Sequence, residues 1–347
     1  MKPLKILFLS HSFAPAIGGI EASSELIVEA LIRRGHKIIV MTAALGEAEN
    51  LTYRVIRNPS LITKIKYHTW ADLVYENNPC LRLGWPKLLL FKPSVVAIHT
   101  WISRPNGAIS LIDKMKLVWL AQAEKVIAVS SMVQQRCWPR SIVIGNSYNH
   151  KVFSFRSSER KKDFVFLGRL VSDKGADLAI HAFGIIAFFS PVSEVNNATL
   201  TIIGDGPDRK ELESLAATFP DPGRIKFLGV LKAKPLAAEL NRHSFQFIPS
   251  VWEEPFGIVA LEGIACGLIP IASDGGGLPD AVGKAGVIFK RGDLNSLVSV
   301  TTKLLKSDSQ QQQCRRAASA HLVTFGMEAI TNSFINVIES VATHYSS

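Results

Sequence analysis

The sequence lacks the features of several classes of protein. Its four cysteines, Cys80, Cys137, Cys266 and Cys314, lie far apart and form no CxxC pair. This spacing argues against a structural zinc site or a disulfide framework and favours reduced thiols. The chain also has no uninterrupted run of about 18 apolar residues, so no membrane-spanning helix is expected.

A secretory signal is not expected either. The first eight residues, MKPLKILF, contain too short an apolar stretch for a signal peptide, and we interpret that stretch as a buried strand. The expected location is the cytoplasm, with the inner face of a membrane as an alternative. In the cytoplasm the sequon at Asn197 would not be glycosylated.

Size and charge suggest two globular domains with anionic partners. The length of 347 residues exceeds that of a usual single domain, and a hydrophobic fraction of 47% is sufficient for two cores. The net charge of +10 favours nucleotide phosphates, nucleic acid or an acidic membrane surface, among which charge alone does not choose. No recognised nucleic-acid-binding module is present, so nucleic acid is not expected as a partner.

Short β-branched runs alternate with amphipathic segments along the chain, which is typical of parallel βαβ units. The predicted strands are 5–10, 37–42, 53–56, 72–76, 95–99, 125–129 and 141–144, then 163–167, 199–203, 225–228, 245–249, 268–272 and 287–289. The first helix is predicted over 21–34. The polar, basic stretch 154–162 is interpreted as an interdomain linker and hinge, so the predicted domains are 1–153 and 154–325, followed by a helical segment, 326–347.

Glycines mark a first candidate phosphate site. Gly18 and Gly19 stand between the first strand and its helix, where backbone can approach a ligand and a helix N-terminus can bind an anion. The motif is not GxGxxG and no acidic residue ends the second strand, which disfavours a nicotinamide dehydrogenase. A glycine turn without a ligand is the alternative.

Two cations mark a second candidate site. Arg169 ends a predicted strand and Lys174 lies in the loop after it, so both can converge on the carboxyl edge of a parallel sheet. Two cations at one strand end suit a diphosphate, because each charge-assisted hydrogen bond contributes about 1.5–3 kcal/mol. The alternative is solvated surface charge.

The third signal is the segment 250–262, SVWEEPFGIVALE. Pro255 is predicted to begin a helix, so that the N–H groups of Gly257, Ile258 and Val259 would face an anion.

Two carboxylates of that segment lie on either side of the predicted helix start. Glu254 and Glu262 are eight residues apart, which is about 12 Å along a helix axis. One carboxylate could therefore contact a sugar and the other a ribose, with the diphosphate between them. Two surface glutamates are the alternative, but the apolar run around Glu262 predicts burial, and buried carboxylates need partners.

With these motifs the sequence resembles the retaining glycosyltransferase family 4, which has the GT-B fold. The matching segments are 18–21 (GGIE), 168–169 with 174–175, 204–207 (GDGP) and 254–257 (EPFG) ending at Glu262. The resemblance implies an α/β protein of two facing Rossmann-like domains with parallel sheets and an interdomain cleft. It also implies that the C-terminal helix crosses back to the first domain.

The resemblance also implies roles for residues. Arg169 and Lys174 would bind the donor diphosphate, Glu254 the sugar hydroxyls and Glu262 the ribose. His99 would be the active-site histidine, and with Arg169, Lys174 and Glu254 it makes up the implied catalytic set. The other implied donor-binding residues are Gly18, Gly19, Gly168, Val230, Leu231, Phe256, Gly257, Ile258 and Val259.

A retaining, metal-independent transfer follows from the same resemblance. No DxD pair stands at the expected site, so Arg169, Lys174 and the helix N-terminus would do what a metal does elsewhere, and no cofactor is expected. The donor would be a nucleoside-diphosphate sugar and the acceptor a glycan or a lipid-linked acceptor. The alternatives are a nucleotide-sugar epimerase of the same fold and a non-catalytic sugar-nucleotide-binding subunit.

The acceptor side departs from the family pattern. Residues 75–78 (YENN) stand where many members carry a His-x-His, which leaves the acceptor contacts open. Segments 60–70 and 85–92 combine lysines with apolar residues and could rest on an anionic membrane. For residues 88–91 the favoured interpretation is a place in the core.

Overall fold

The computed structural model describes residues 2–13, 19–46, 52–102, 109–156, 160–189, 195 and 197–344. The chain divides into two compact units. The first unit contains Met1–Ser147 and Met327–Ser347, and the second contains Tyr148–Gly326.

The first unit is built on a parallel sheet of seven strands in the order β3-β2-β1-β4-β5-β6-β7, counting described residues. Its strands are β1 (Lys5–Ser10), β2 (Lys37–Thr42), β3 (Arg54–Arg57), β4 (Leu73–Asn77), β5 (Ser94–Ile98), β6 (Lys125–Ala128) and β7 (Ile142–Val143). Its helices are α1 (Gly19–Arg33), α2 (Leu61–Trp70), α3 (Leu81–Gly84), α4 (Pro86–Leu89), α5 (Leu111–Ala121), α6 (Ser131–Cys137) and the C-terminal helix, which is α14 (Met327–His344). The order reverses between β1 and β4, and such a switch point is where open α/β sheets bind ligands.

The second unit repeats this plan with six parallel strands in the order β10-β9-β8-β11-β12-β13, again among described residues. Its strands are β8 (Phe164–Leu167), β9 (Leu200–Ile203), β10 (Ile225–Gly229), β11 (Phe245–Ile248), β12 (Ile269–Ser273) and β13 (Val287–Phe289). Its helices are α7 (Ala176–Gly184), α8 (Arg209–Ala216), α9 (Ala233–Leu240), α10 (Ile258–Ala265), α11 (Leu278–Val282), α12 (Leu294–Leu305) and α13 (Asp308–Thr324). A 3-10 turn covers Ser172–Lys174, and the switch point lies between β8 and β11.

Every strand predicted from the sequence is found in the described part of the chain, with each end within one residue. The central strands β5 and β11 are buried along their whole length and are mostly apolar, as parallel strands covered on both faces are. The Rossmann-like architecture of both units is therefore confirmed. The first helix begins earlier than predicted, at Gly19 rather than at residue 21.

The stretch 154–162, predicted as a linker, is fastened to the second unit wherever it is described. Asn241 accepts the N–H of Arg156 at 2.7 Å and donates to the carbonyl of Ser154 at 3.0 Å. Arg160 donates to the carbonyl of Gly267 at 2.7 Å, and Phe153 packs in a buried cluster of the second unit. These contacts assign the described residues of this stretch to the second unit, and a role as a hinge stays a prediction.

No helix in the described ranges has the length and hydropathy needed to cross a membrane. The interpretation of residues 88–91 as part of the hydrophobic core is wrong. Leu88, Leu89 and Phe91 are exposed, whereas the lysine that precedes them, Lys87, is buried. An ion pair explains this inversion and is described below.

Candidate functional site

Lys174 and Glu254 meet at the carboxyl edge of the second sheet. Lys174 closes the 3-10 turn after β8, and Glu254 lies in the loop after β11, the neighbouring strand in the sheet. The Lys174 ammonium donates to Glu254 Oε1, and the two side chains are 26% and 16% exposed. The sequence placed both residues at this edge but did not predict that they pair.

Backbone contacts hold the two loops together. The carbonyl of Asp173 accepts the N–H groups of Val251 and Trp252 at 2.9 and 3.0 Å. Gly175 has φ +71°, and a Cβ there would lie 2.1 Å from the carbonyl oxygen of Pro249. Only glycine lets the chain pass this closely while adopting a left-handed conformation.

Sequence reasoning missed two side chains that position the pair. Ser250 Oγ lies 3.0 Å from Glu254 Oε1 and 3.1 Å from the carbonyl oxygen of Asp173. The Lys174 ammonium also lies 5.2 Å from the centre of the Trp252 ring, a cation–π distance. Both residues follow a buried strand at its carboxyl end, and that position was the signal available in the sequence.

A second ion pair lies in the loops at this edge. Arg291 donates to Glu253 Oε1 at 3.1 Å, and its backbone N–H donates to Asp274 Oδ1 at 2.9 Å. Glu253 and Glu254 are therefore held by different cations, although they are adjacent in sequence.

The helix after Glu254 begins later than predicted, at Ile258 instead of Pro255. Gly257 is its N-cap residue with φ 108°, a left-handed conformation that cannot continue a helix. A Cβ at Gly257 would lie 2.4 Å from Leu278 Cδ2, so packing also requires glycine. Because Gly257 has no side chain, it cannot cap the first N–H groups of α10 with one. Ile258 and Val259 are the first residues of that helix, and they follow the loop that contains Glu254.

The later start also changes the spacing of the two carboxylates. Only the interval from Ile258 to Glu262 is helical, which is about 6 Å along the axis rather than 12 Å. Burial raises the pKa of Glu262 to about 7. Within the described residues no arginine or lysine pairs with its carboxylate, so Glu262 is a half-buried acid without a cation.

Other predicted donor-binding residues lie at strand ends of the same edge. Gly168 and Arg169 follow β8, and the Arg169 side chain is exposed. Val230 is exposed after β10, whereas Leu231 packs against a buried cluster. The Phe256 ring is buried 5.5 Å from that of Phe325, so this side chain serves packing.

In the first unit the predicted histidine follows β5 and is buried. The backbone N–H of His99 donates to Asn78 Oδ1 at 2.8 Å. The His99 ring lies nearly parallel to the Phe334 ring, with 6.4 Å between the ring centres. Burial lowers the pKa of His99 to about 4, while the nearby Asn146 side chain opposes that shift. Neither ring nitrogen has a well-formed hydrogen bond in the described part of the unit, so His99 is neutral at pH 7.

One of the two glycines predicted in the first unit lies at the start of the first helix. Gly19 is the first residue of α1, and Gly18 lies outside the described residues.

The segment 75–78, which departs from the family pattern, contains a buried ion pair. Glu76 accepts from the Lys87 ammonium, from Trp119 Nε1 at 2.8 Å and from the backbone N–H of Cys80 at 2.8 Å. Lys87 also donates to Ser94 Oγ at 3.0 Å, and the two charged side chains are 0% and 1% exposed. Glu76 therefore fixes the helices to the sheet and is not available to a ligand.

Comparisons with known proteins identify the family of the second unit and the fold of the chain. Residues 148–321 match the family described as glycosyl transferases group 1. A glycosyltransferase of Methanocaldococcus jannaschii, itself described as uncharacterized, is 28% identical over 80% of this chain and 83% of its own. The gpi3 subunit of the Schizosaccharomyces pombe phosphatidylinositol N-acetylglucosaminyltransferase is 24% identical over 86% of this chain and 72% of its own. The crystal structure of Anabaena HepE in complex with UDP aligns with a TM-score of 0.81 at 20% identity, over 97% of this chain and all of that one (100%).

Proposed function

The chain belongs to the glycosyl transferases group 1 family, and on this basis we propose that it moves a sugar from a nucleoside-diphosphate sugar to a glycan or lipid-linked acceptor, with retention of configuration and without a metal ion. The observation that carries the proposal is the Lys174–Glu254 pair beside the uncapped start of α10. A cation, a carboxylate and free N–H groups at one sheet edge suit a ligand that joins a diphosphate to a sugar.

Charge stabilisation at the leaving group is the proposed source of catalysis. As the bond between the sugar C1 and the phosphate oxygen breaks, negative charge grows on the diphosphate. Lys174, Arg169 and the first N–H groups of α10 would stabilise that charge from fixed positions. They would supply the positive charge that a divalent cation supplies in other enzymes.

Retention is proposed to come from attack on the face that the diphosphate leaves. The acceptor oxygen forms its bond to C1 on that face, and its proton passes to the departing phosphate oxygen. Glu254 would hold the sugar hydroxyls and is itself held by Lys174 and Ser250. His99, neutral at pH 7, would act as a hydrogen-bonding group rather than as a cation.

Glu262 provides a direct test through pH. Ribose hydroxyls donating to an ionised carboxylate favour its charged form, so donor binding would lower a pKa that stands at about 7 in the free protein. The affinity for UDP-glucose in EDTA is therefore expected to be constant above pH 7. Below pH 7 it should fall by up to about tenfold per pH unit. Isothermal titration between pH 5.5 and 8.5 measures it, with the uridine nucleotide chosen first because HepE was solved with UDP.

UDP-glucose is preferred to UDP because its diphosphate does not titrate in this range. Glu262→Gln is the matched control and should bind with an affinity that varies little with pH. A wild-type profile as flat as that of Glu262→Gln would contradict the ribose role. If UDP-, ADP- and GDP-sugars all bind only when a divalent cation is added, metal independence is wrong.

The two alternatives, an epimerase and a non-catalytic binding protein, differ from the proposal in their need for an acceptor. A transferase releases nucleoside diphosphate in proportion to the acceptor that it glycosylates. An epimerase turns over without acceptor, and a non-catalytic binding protein releases no product under either condition. Nucleotide release measured with and without a lipid-linked glycan separates the three.

We also propose that the first unit contacts an anionic membrane, which would suit a role in polysaccharide or glycolipid synthesis. Exposed apolar side chains lie on neighbouring helices: Ile62 on α2 is 79% exposed, and Leu89 and Phe91, at the end of α4, are 70% and 89% exposed. Lys92 joins these helices by donating to the carbonyl of Ala71 at 2.7 Å. Lys64 and Lys66 on α2 add the positive charge that anionic lipid attracts.

Phe91→Asp is expected to weaken binding to anionic vesicles by about tenfold or more, because a fully exposed phenylalanine would no longer enter the lipid. Phe91 has φ 49°, a conformation that aspartate tolerates well, so the fold should be retained. Sedimentation with phosphatidylglycerol vesicles measures binding. Val323→Asp, which changes an exposed apolar residue of the second unit, is the control. Equal binding of Phe91→Asp and wild type to the vesicles would contradict the proposed membrane contact.

A further inference from the structure

The second unit contains a cavity of about 830 Å³ at the edge of its sheet opposite the Lys174–Glu254 pair. Its lining includes Lys162, Ser244 and Leu268, which precede β8, β11 and β12 respectively. Because these strands are parallel, their amino ends share one edge of the sheet and their carboxyl ends share the other. An occupant of this cavity is therefore distinct from a ligand held at the carboxyl edge.

Most of the wall is apolar. Phe153 and Phe155 come from the segment before β8. Ile264 lies near the end of α10, Leu268 follows that helix, and Leu322 lies on α13. The volume lies within the range of about 300–1,000 Å³ in which pockets enclose small organic ligands. Phe155 is largely exposed and lines the cavity, so its ring offers apolar surface to an occupant.

The charged part of the wall is mainly cationic. Arg160, Lys162 and Arg315 line the cavity, against one acidic residue, Asp308. No ion pair in the described part of the chain includes any of these side chains. The nearby charge of Arg315 adds to burial in lowering the pKa of Arg160, as expected for two cations that lie close together.

Arg160 is held in place by the protein. Its guanidinium donates to the backbone carbonyls of Gly267, His243 and Cys266 and to the side-chain carbonyl of Asn241 at 3.3 Å. It also stacks 4.8 Å from the Phe155 ring centre. Neutral carbonyls orient the guanidinium without cancelling its charge. Its Nε–H is buried and has no acceptor among the described residues. A fixed cation beside an apolar wall is preorganised for an anion.

We propose that this cavity binds an amphipathic organic anion, in which a phosphate, sulfonate or carboxylate group is attached to an apolar body. The anionic group lies against Arg160 and Arg315, and the apolar body lies between Phe155, Leu268 and Leu322. A polar anion without an apolar body leaves most of the wall unfilled, and a neutral apolar molecule leaves the arginines without a partner.

The fluorescent probe 8-anilinonaphthalene-1-sulfonate has this chemistry and reports its own binding. We expect saturable binding at one site on the folded protein, displaced by dodecyl phosphate below its micelle concentration but not by dodecanol or inorganic phosphate. Excess UDP-glucose should leave the probe bound. Arg315→Gln should weaken binding by about tenfold or more, the loss expected for one charge-assisted hydrogen bond.

Arg316→Gln is the matched control, because it removes the same charge as Arg315→Gln. Arg316 is the exposed neighbour of Arg315 on α13 and does not line the cavity. Ala318→Trp should weaken binding because the indole takes up part of the cavity. If Ala318→Trp fails to fold, Ser319→Trp tests the same effect from the next position. The proposal is overturned if the folded wild type shows no saturable binding, or if Arg315→Gln and Arg316→Gln weaken binding equally. It is also overturned if UDP-glucose displaces the probe. These readouts do not depend on sugar transfer, so they stand or fall separately from the proposed function.

Discussion

Replacing Lys174 by alanine is expected to lower kcat for sugar transfer by about 100- to 1,000-fold, the loss typical of one preorganised group that stabilises charge in a transition state. Lys174 reaches the Glu254 carboxylate from the turn after β8, and the Asp173 carbonyl fixes that turn to the loop after β11. The ammonium is therefore held in place before the donor arrives. Steady-state kinetics with saturating donor and acceptor measure the effect.

Lys303→Ala is the matched control, because Lys303 is exposed on α12 in the same unit and in the last turn of its helix. It should leave kcat within about twofold of the wild type, since isolated surface changes are small. Full activity of Lys174→Ala would contradict the role of Lys174 at the leaving group.

A double-mutant cycle separates two ways in which Lys174 could act. If the ammonium only orients Glu254, then Lys174→Ala, Glu254→Gln and the double variant should lose activity equally. If Lys174 also stabilises the diphosphate, the double variant should be slower than either single variant. We expect the second outcome, because Ser250 also contacts Glu254, so the ammonium is not the sole group that orients this carboxylate among the described residues.

Replacing Lys87 by alanine is expected to lower the free energy of unfolding by about 3–5 kcal/mol, the usual loss when one partner of a buried ion pair is removed. The side chain of Glu76 is 0% exposed and would keep only the N–H groups of Trp119 and Cys80 as partners. Chemical denaturation followed by far-ultraviolet circular dichroism measures the change.

Two comparisons make this measurement decisive. Arg33→Ala breaks an exposed ion pair with Glu29, and such pairs contribute about 0–1 kcal/mol. The double variant Glu76→Gln with Lys87→Met removes both charges and should recover much of the lost stability, because no buried charge is then left unpaired. A cost for Lys87→Ala no larger than that for Arg33→Ala would contradict a structural role for the buried pair.

The strands were predictable because each follows a local pattern. Strands such as β5 and β11 are buried along their whole length, so the same apolar residues that form them also identify them in the sequence. β3 shows where the pattern weakens. It is only partly buried, and its predicted range was shifted by one residue from Arg54–Arg57.

The start of α10 was not predictable in the same way. Proline commonly opens helices, so Pro255 indicated the start. What decides the observed start is the close packing of Gly257 against Leu278, a residue that follows the next strand. The position of Phe256 has the same cause, because its ring is buried against Phe325, far along the chain.

Pairing of charges was the least predictable feature. Lys174 and Glu254 are 80 residues apart, and a sequence shows that both lie at strand ends without showing which acid each cation will meet. Glu76 and Lys87 are 11 residues apart on different elements. Glu76 stands inside an apolar strand, and this was the available sign that a buried partner was needed, but it did not identify Lys87.

The assignment of α14 to the first unit has a consequence for how the chain is made. The second unit is continuous from Tyr148 to Gly326, whereas the first is completed only by the helix that begins at Met327. In that unit Phe334 of α14 packs against His99 and Tyr75. During synthesis the first unit therefore lacks its last helix until residues 327–344 have been added, although the rest of its chain was made before the second unit.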